Sequence, residues 1–487
     1  MKKRCVAICA ALCLAFLPPA RGQEAAVTLT VPVFFDSQIP DGFALVEAAV
    51  DELVFGLEGF HVDLLPLLRP YTDDQRRAAE IQLVQKQGTT FDLVHTTMDI
   101  YSGEEDLLPL NELIEAHGAD ILPLLPDDTL EALRSEPVCW LPSLSDYVTA
   151  QGIAMRRDIV EKYDVDLSSL TTWKDFDALF ERIAPLEPDM FMICSYTMGR
   201  SLRYRLNTIG VHGTIFAVDE ADPASMICRY ATERYRAECK LFRSWYLKGY
   251  LPAMLALQDV SAYDLVRAGV LFSYVCSYKP GINFEASKNC RTDMVVVQIS
   301  AATVTDHSLA LNCWGIARDS QNPEEAMRFL ALLYTNAGLI NLLSYGIEGL
   351  HYQILPDGTI TYPDGVDGSS VGYVNDDAWI LPNQFPSHVW HGEEPDLWDR
   401  LDQFNRSAQG SPTLGFEPGG EGLQEKLDAL RQVANRYAYG LESGQIDPDI
   451  YLDQMLAELE EAGLSEVQTE LQRQYDAWRA GQGEDAP

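Results

Sequence analysis

The sequence predicts an α/β protein built from two or three domains. Strand and helix patterns alternate along its first hundred residues: residues 27–35 read as a strand, residues 42–55 have helical spacing, and residues 61–68 are again strand-like. Strands separated by helices of about 10–15 residues indicate βαβ units and a mainly parallel sheet. The length of 487 residues is enough for two or three separately cored domains, at roughly 150 residues per domain.

The composition is that of a folded globular protein with a strongly acidic surface. Hydrophobic residues make up 47% of the chain and charged residues 22%, which argues against disorder and coiled coil. The 73 acidic residues outnumber the 36 basic ones, for a formal charge of -37. Such a chain repels phosphate backbones and anionic lipids, so we expect no nucleic-acid partner and no adsorption to a membrane surface.

The first 22 residues have the pattern of a secretory signal. Residues 1–4 are basic apart from Met1, residues 5–17 are apolar, and a Pro-rich segment with small residues follows to Gly22. The apolar run is shorter than the ~20 residues that a membrane-spanning helix needs. We therefore predict cleavage after Gly22 and an exported mature chain that begins at Gln23.

The cysteines do not form a recognisable metal or redox motif. Three of the ten lie in the signal, and the seven that remain show no CxxC spacing. An odd number leaves at least one thiol without an intramolecular disulfide partner. Buried thiols that pack as small hydrophobic groups are the expectation, and a disulfide between Cys228 and Cys239 or between Cys276 and Cys290 stays open.

Acidic side chains follow two of the early strands. Residues 72–87 form a predicted helix and residues 91–94 a short buried strand. In open α/β sheets, ligands bind beyond the carboxyl ends of the strands. Asp36, which follows the first strand, and Asp99, which follows the strand at 91–94, are therefore candidate acceptors for ligand hydroxyl groups.

The rest of the chain continues the alternation and then becomes helical. Residues 137–142, 270–276, 294–299 and 309–317 read as strands. Thr172 is a predicted N-cap, and Pro323 stands in the first turn of another helix. Residues 355–420 are rich in Gly, Pro and Asp, and two long acidic helices are predicted over 422–441 and 449–479.

Motifs of nucleotide, metal and acyl-transfer chemistry are missing or poorly placed. The sequence contains no GxxxxGK, no HExxH and no GxGxxG after a strand. Residues 368–372 match GxSxG, but their Gly- and Asp-rich flanks predict a loop rather than a strand and a helix. The same loop lacks a full set of calcium ligands. The acidic pairs Glu104–Glu105 and Glu393–Glu394 are expected on a solvated face, and no cofactor is expected.

Aromatic residues recur where predicted strands end. They comprise Trp140, Tyr147, Tyr274, Tyr278, Trp314, Tyr345 and Trp379. Tyr and Trp offer a flat apolar face and a polar group, which suits sugar rings. Core packing is the better explanation for any one of them, but as a set they favour a ligand cleft. We select Trp140, Tyr147, Tyr274 and Trp314 as candidate stacking surfaces.

The order of several short motifs resembles a known family. These are PVFFDS at residues 32–37, FDLV at 91–94, LPLNEL at 107–112, WLP at 140–142, TTWKDF at 171–176, NPEEA at 322–326 and YGIEGLHY at 345–352. The set is similar to the extracellular solute-binding proteins of bacterial ABC importers, family-1, sugar-type. The C-terminal strings, such as QYDAW at 474–478, resemble a lipoprotein-like subset with a C-terminal domain of unassigned role.

The resemblance implies a two-lobed periplasmic-binding-protein-like fold of type II, with a hinge between the lobes. It implies one lobe at 24–147 plus 300–342 and a second at 148–299 plus 343–487. A small-molecule ligand, a sugar or oligosaccharide, would be captured between the lobes and delivered to an ABC permease by a monomeric protein. Glu348, in the YGIEG string, would be a polar contact on the hinge side.

Two alternatives and one departure stay open at this stage. A secreted carbohydrate-active hydrolase would use the same aromatic cleft, and a peptide- or polyamine-binding relative would suit the acidic chain. Gram-positive members of the family carry a lipobox with small residues before the lipidated cysteine. Here Ile8 and Leu12 precede Cys9 and Cys13, so soluble export to the extracellular or periplasmic space and an unusual lipobox are both open.

Overall fold

The computed structural model describes most of the chain after residue 25. The described residues are 26–35, 38–68, 89–96, 106–126, 130, 137–148, 150–195, 215–218, 222–252, 260–309, 312–375, 377–420 and 422–481. The strands are β1 (Thr28–Phe35), β2 (His61–Leu68), β3 (Leu93–Thr96), β4 (Trp140–Pro142), β5 (Gln151–Arg156), β6 (Phe191–Ser195), β7 (Phe216–Val218), β8 (Met226–Cys228), β9 (Leu271–Ser277), β10 (Met294–Gln298), β11 (Thr303–Val304), β12 (Cys313–Ile316), β13 (Gln353–Ile354), β14 (Ile360–Thr361) and β15 (Gln409–Gly410).

The helices lie between these strands and then dominate the C-terminal part. They are α1 (Phe43–Glu58), α2 (Asn111–His117), α3 (Arg157–Lys162), α4 (Trp173–Ile183), α5 (Glu233–Leu247), α6 (Ala262–Arg267), α7 (Ile282–Cys290), α8 (Asp306–Leu309), α9 (Pro323–Thr335), α10 (Ala337–Tyr345), α11 (Leu397–Ser407), α12 (Leu423–Glu442), α13 (Pro448–Glu461) and α14 (Leu464–Gly481).

The first lobe is built on the strands β1 to β4 together with β12. β1 and β2 are parallel and joined by α1, as the alternation predicts. β3 and β4 both pair antiparallel with β12. Asp92 links the two groups, because its amide donates to the Thr30 carbonyl and its carboxylate accepts from the Thr30 amide, both at 2.9 Å. Buried residues of α1, α9 and α10 cover one face and complete the core.

The second lobe has its own four-stranded sheet, in the order β10–β5–β9–β6. β6 and β9 are parallel, whereas β5 is antiparallel to both β9 and β10. The expectation of mainly parallel sheets is therefore wrong for the strands beside β5 and β12, because apolar periodicity carries no information about strand direction. Phe176 and Phe180 of α4 and Trp245 of α5 fill the core on one face.

The outer edge of the second sheet is capped by side chains. β10 is the last strand in the described sheet, and α7 packs alongside it. The Met294 amide donates to Ser287 Oγ at 2.9 Å, and the Val296 amide donates to Asn283 Oδ1 at 2.8 Å. Two edge amides that would otherwise need water or another strand are thereby satisfied.

Residues 343–385 pack on the first lobe, which differs from the expected assignment of 343–487 to the second. Tyr373, Ala378 and Leu381 are buried in the core of the first lobe. The Gly42 amide donates to the Gly372 carbonyl at 2.8 Å, and the Tyr373 hydroxyl donates to the Leu343 carbonyl at 2.8 Å. The remaining boundaries of the two lobes stay a prediction.

The C-terminal helices pack on the second lobe. α12, α13 and α14 share a core with β7, β8 and the start of α5. The predicted helix at 449–479 is two helices, since the chain turns at Gly463 with φ 99°. A buried ion pair, Arg229 Nη2 to Glu442 Oε1 at 3.1 Å, joins the end of α12 to the residues after β8, and the Tyr235 hydroxyl donates to the same oxygen at 3.2 Å.

All seven mature cysteines are described, and each is a buried free thiol. This confirms the expectation of thiols that pack as small hydrophobic groups, and neither of the two disulfides left open forms. Among the described helices, none alone is long and apolar enough to cross a membrane. Only α9 and α10, taken together across an 81° bend, reach that length and composition, and their apolar residues lie in the core of the first lobe.

Candidate functional site

The candidate site lies where strand ends of the two lobes approach each other. In the first lobe, the register aligns Thr96 and Pro142 with Cys313, so β3 and β4 end on the same side of their sheet. In the second lobe, the register aligns Gln151 with Ser277. The chain between β4 and β5 therefore connects the end of a strand in the first lobe to the start of a strand in the second. We call residues 143–148, 150, 278–281 and 299–309 the interlobe junction, since ligands of open sheets bind beyond such strand ends.

Hydrogen bonds hold the junction segments side by side. The Tyr278 amide donates to the Ala150 carbonyl at 2.9 Å, and the Ile299 amide donates to the Gln151 carbonyl at 2.8 Å. β11 pairs with β15, which brings the end of α11 to the same place. The buried Asn405 amide donates to the Ser145 carbonyl at 2.6 Å. The segments before β5 and after β10, through which the chain passes between the lobes, thus lie side by side, which is the arrangement of a hinge.

A lysine at the junction is held by carboxylates from two segments. Lys279 Nζ lies 2.9 Å from Asp146 Oδ2 and 3.0 Å from Glu285 Oε2. Asp146 stands between β4 and β5, and Glu285 stands in the first turn of α7. Burial lowers the pKa of Lys279, but the two carboxylates outweigh this effect, and the net shift is upward. Lys279 is therefore a permanent cation between the lobes.

A groove of about 400 Å³ opens beside this lysine, between α7 and the start of α11. We call it the α7 groove, and its lining includes Tyr278, Asn283, Phe284, Arg157, Glu393 and Arg400. Burial, and then the charge of Glu285, raises the pKa of Glu393 to about 7, with Lys279, Arg400 and Lys288 opposing the shift. Glu394 is exposed and paired with Arg400. The solvated face expected for Glu393–Glu394 thus holds for Glu394, whereas Glu393 is half-buried.

Two of the candidate ligand contacts fall on segments next to the described strands β1 and β3. Asp36 and Asp99 both lie outside the described residues, as does the acidic pair Glu104–Glu105. The role of Asp36 and Asp99 as hydroxyl acceptors stays a prediction.

Two candidate aromatic residues lie in the interior in this arrangement of the lobes. Trp314 is 2% exposed, and its indole N–H donates to the Ile380 carbonyl at 2.7 Å. Tyr274 is 1% exposed and packs edge-on against Tyr263. Both belong to strands with another strand on each side and with covered faces, so core packing accounts for their positions. Their role as stacking surfaces has no support from this arrangement.

The other three candidates lie at different distances from the junction. Tyr147 is half-buried, directly after Asp146, on the chain that joins the lobes. Trp140 is half-buried against the cluster of Phe34, Leu67 and Phe91, at the start of β4 opposite Gly315 and away from the strand end at Pro142. Glu348 is exposed in the turn after α10. Tyr147 is thus the described candidate that the structure places at the junction.

Sequence reasoning missed Lys279, Glu285 and the burial of Glu393. The position of Lys279 just after the strand at 270–276 was available as a signal, because the argument from strand ends applies to that strand as well. The pairing of Lys279 with Asp146 had no such signal, since 133 residues separate them. Tyr278 was in the aromatic set but was not selected, and its half-buried ring lies beside Phe404 at this junction.

Other chemistries find little support among the described residues. Residues 368–372, the GxSxG match, form an exposed turn in which the Asp367 carboxylate accepts from Ser369 and Ser370. No strand leads into this turn and no helix follows it, so the nucleophile elbow does not form. No group of three or more His, Cys, Asp or Glu side chains within the described ranges is arranged to hold a metal ion.

Comparison with known proteins identifies similar chains over nearly the whole length. Residues 412–480 match a family described as "Domain of unknown function (DUF3502)", and this segment contains α12, α13 and nearly all of α14. A curated relative, "Carbohydrate ABC transporter substrate-binding protein" from Streptococcus pneumoniae, is 22% identical over 82% of this chain and 81% of its own length.

Solved structures give the same result for the fold. The N-glycan transport solute binding protein (NgtS) from Streptococcus pneumoniae superposes with a TM-score of 0.80, at 19% identity, over 93% of this chain and 98% of that one. The same protein in complex with Man1GlcNAc gives a TM-score of 0.74, at 19% identity, over 92% and 99%. These comparisons confirm the two-lobed fold and the resemblance on which it was predicted.

Proposed function

We propose that this chain, which has the two-lobed fold of the solute-binding proteins of bacterial ABC importers, is the exported component that captures a carbohydrate and delivers it to a membrane permease. The observation that carries the proposal is the architecture of the junction. Two lobes with separate cores are connected by adjacent segments, and strand ends of both sheets point to the same place. A frame of this kind closes on a ligand that contacts both lobes.

The carbohydrate part of the proposal is supported by the relatives and by the side chains at the junction. The curated relative is named as a carbohydrate-binding component, and one of the similar structures contains Man1GlcNAc. Tyr147, on the chain that joins the lobes, and Tyr278, directly after β9 of the second lobe, bring half-buried side chains to the junction. Aromatic faces of this kind pack against the apolar side of a sugar ring. We keep Asp36, Asp99 and Tyr147 as the first residues to test for contact.

The mechanism we propose is capture without turnover. The relatives named above are binding proteins of transporters rather than enzymes. Ligand contacts to both lobes would stabilise a closed arrangement, and the closed protein would dock on the permease as a monomer. Export follows from the predicted signal at residues 1–22, and lipid anchoring at Cys9 or Cys13 is left to experiment.

The test is a thermal-shift and calorimetry screen of the mature chain, Gln23 to Pro487. The panel contains Man1GlcNAc, larger N-glycan fragments, other neutral oligosaccharides, short peptides and polyamines. A ligand at about 100 times its Kd stabilises the native state by about 2.7 kcal/mol, which raises Tm by several degrees. We expect this with one class of oligosaccharide, at one ligand per chain.

Three outcomes would contradict the proposal in different ways. Release of shorter sugars during the incubation, measured by chromatography, would favour the hydrolase. A shift with peptides or polyamines and none with sugars would replace the ligand class while keeping the transport role. No shift with any member of the panel would remove the support for solute capture.

A further inference from the structure

The segments that carry the two half-buried tyrosines are joined by a side-chain ion pair as well as by the Tyr278–Ala150 backbone hydrogen bond. Tyr147 directly follows Asp146, and Tyr278 directly precedes Lys279. The Lys279–Asp146 contact of 2.9 Å therefore connects the two short segments that carry these rings. Both members are largely withdrawn from water, with side-chain exposures of 23% and 28%. Charges in such an environment interact more strongly than the exposed ion pairs elsewhere on the surface.

A second carboxylate fixes the lysine to the second lobe. Glu285 lies in the first turn of α7, and its oxygen is 3.0 Å from Lys279 Nζ. α7 is itself anchored to the sheet, because its Asn283 and Ser287 side chains bond the edge of β10. Asp146 belongs to a segment that bonds the first lobe and α11 through Leu144 and Ser145. Lys279 thus bridges two rigid supports, one for each tyrosine.

We propose that Lys279 is a positioning residue for ligand capture, which sets Tyr147 and Tyr278 at the separation that a sugar ring requires. The inference rests on the proposed function and adds to it a residue that does not itself contact the ligand. Removing the ammonium frees the Asp146 segment from α7 and leaves Asp146 and Glu285 facing each other. The Tyr278–Ala150 backbone bond remains, but the two rings are held less firmly relative to each other, and the ligand must restore that order when it binds.

Charged groups around the bridge give the role a distinctive pH dependence. Glu393 faces Glu285 and Lys288 of α7, Lys279 before it and Arg400 of α11, and Arg157, Asp293 and Glu394 line the same groove. Since the pKa of Glu393 is raised to about 7, its carboxyl is mostly neutral at pH 6 and mostly charged at pH 8. At pH 8 it adds a third carboxylate near Lys279 and repels Glu285, so the arrangement described here loses stability as the pH rises through 7.

The first experiment compares ligand affinity among lysine variants. We would measure the Kd of the neutral oligosaccharide that gives the largest thermal shift, with Man1GlcNAc as the first probe. We expect K279M to weaken binding about tenfold and K279R, which keeps a cation, to recover most of the loss. D146N serves as a second variant in case K279M does not fold. K162M is the matched control, because Lys162 pairs with Glu187 on the exposed surface of the second lobe at 2.5 Å.

The second experiment measures ligand affinity as a function of pH. A lysine with a merely structural role would give no pH dependence that is linked to Glu393. We expect the Kd of the neutral ligand to change between pH 6 and pH 8 in the wild type and to be flat in E393Q. Small-angle scattering without ligand should show a pH-dependent radius of gyration in the wild type and none in E393Q.

The results separate this inference from the proposed function. Tight binding by the wild type with K279M and D146N unchanged would overturn the role of Lys279 and leave the proposed function intact. A loss in K279M that K279R does not recover would reduce the residue to a structural one, and so would a pH profile that E393Q shares with the wild type. Failure of the wild type to bind any sugar would overturn the proposed function, and this inference with it.

Discussion

The two ion pairs that join separate parts of this molecule differ in their surroundings. Arg229 and Glu442 fasten the C-terminal helices to the second lobe with side-chain exposures of 10% and 5%, inside an apolar core. Lys279 and Asp146 join the lobes at the edge of an open groove, at 23% and 28%. The first pair is enclosed by the packed side chains of that core. The second borders free space and a carboxyl group that titrates near neutrality.

The contrast indicates which parts of the chain move as one body and which do not. A sealed charge pair is costly to separate, because each partner would remain buried without compensation. A pair at a solvent-filled groove can be separated and hydrated at a smaller cost. We therefore expect the C-terminal helices to stay with the second lobe, while the two lobes change their relative position.

Arg229→Met should have the largest effect on stability. It leaves the Glu442 carboxylate buried without its cation, and removal of one partner of a buried pair costs about 3–5 kcal/mol. Denaturant unfolding followed by tryptophan fluorescence measures the loss. The double variant R229M/E442L, which removes both charges, should recover a large part of it. A loss under about 1 kcal/mol in the single variant would contradict the picture of a sealed interface.

Gly444→Ala comes next and tests the same interface through packing. Gly444 has φ +72°, and a Cβ atom there would collide with the Phe242 carbonyl oxygen of α5. Gly249 is the matched control, because it follows another helix with φ +76° and has nothing within 4 Å of the added atom. We expect Gly249→Ala to cost about 1 kcal/mol from backbone strain alone. Gly444→Ala should cost about 2 kcal/mol more, and equal losses in the two variants would refute the close approach.

Glu393→Gln should have the smallest effect, and its sign should depend on pH. In the folded chain the pKa of Glu393 is raised to about 7, so the native state holds a proton that the unfolded state has released. The wild type therefore loses stability as the pH rises towards 7. We expect E393Q to match the wild type at pH 5 and to exceed it by about 1 kcal/mol at pH 8, after allowance for solvent screening. Thermal unfolding at both values measures the difference.

Local features of the fold could be predicted, because their causes are local in sequence. Thr172 caps α4 and exchanges hydrogen bonds with Asp175, and Pro323 begins α9. The strand predicted at residues 27–35 is Thr28–Phe35. Each depends on a few neighbouring residues whose preferences agree with the final structure.

The candidate site was harder to predict, for two physical reasons. Tyr274 and Trp314 lie on strands covered on both faces, and the sequence of a doubly buried strand does not distinguish a ring in the core from one in a cleft. The Lys279–Asp146 ion pair and the repulsion between Glu393 and Glu285 join segments that are distant in sequence. Both interactions depend on the tertiary arrangement of those segments. Tyr147 could be selected from the sequence because it follows a strand end that leads out of the first lobe, and its contact with ligand stays a prediction.

The capped edge of β10 has a consequence for how the protein behaves in a crowded medium. An open strand edge is a template on which another molecule can add a strand, and from there aggregates of the amyloid kind can grow. Here Ser287 and Asn283 occupy the two amides that such a strand would need. The α7 helix that supports the lysine bridge therefore also closes one route to self-association, and a substitution such as Asn283→Ala would expose the chain to it.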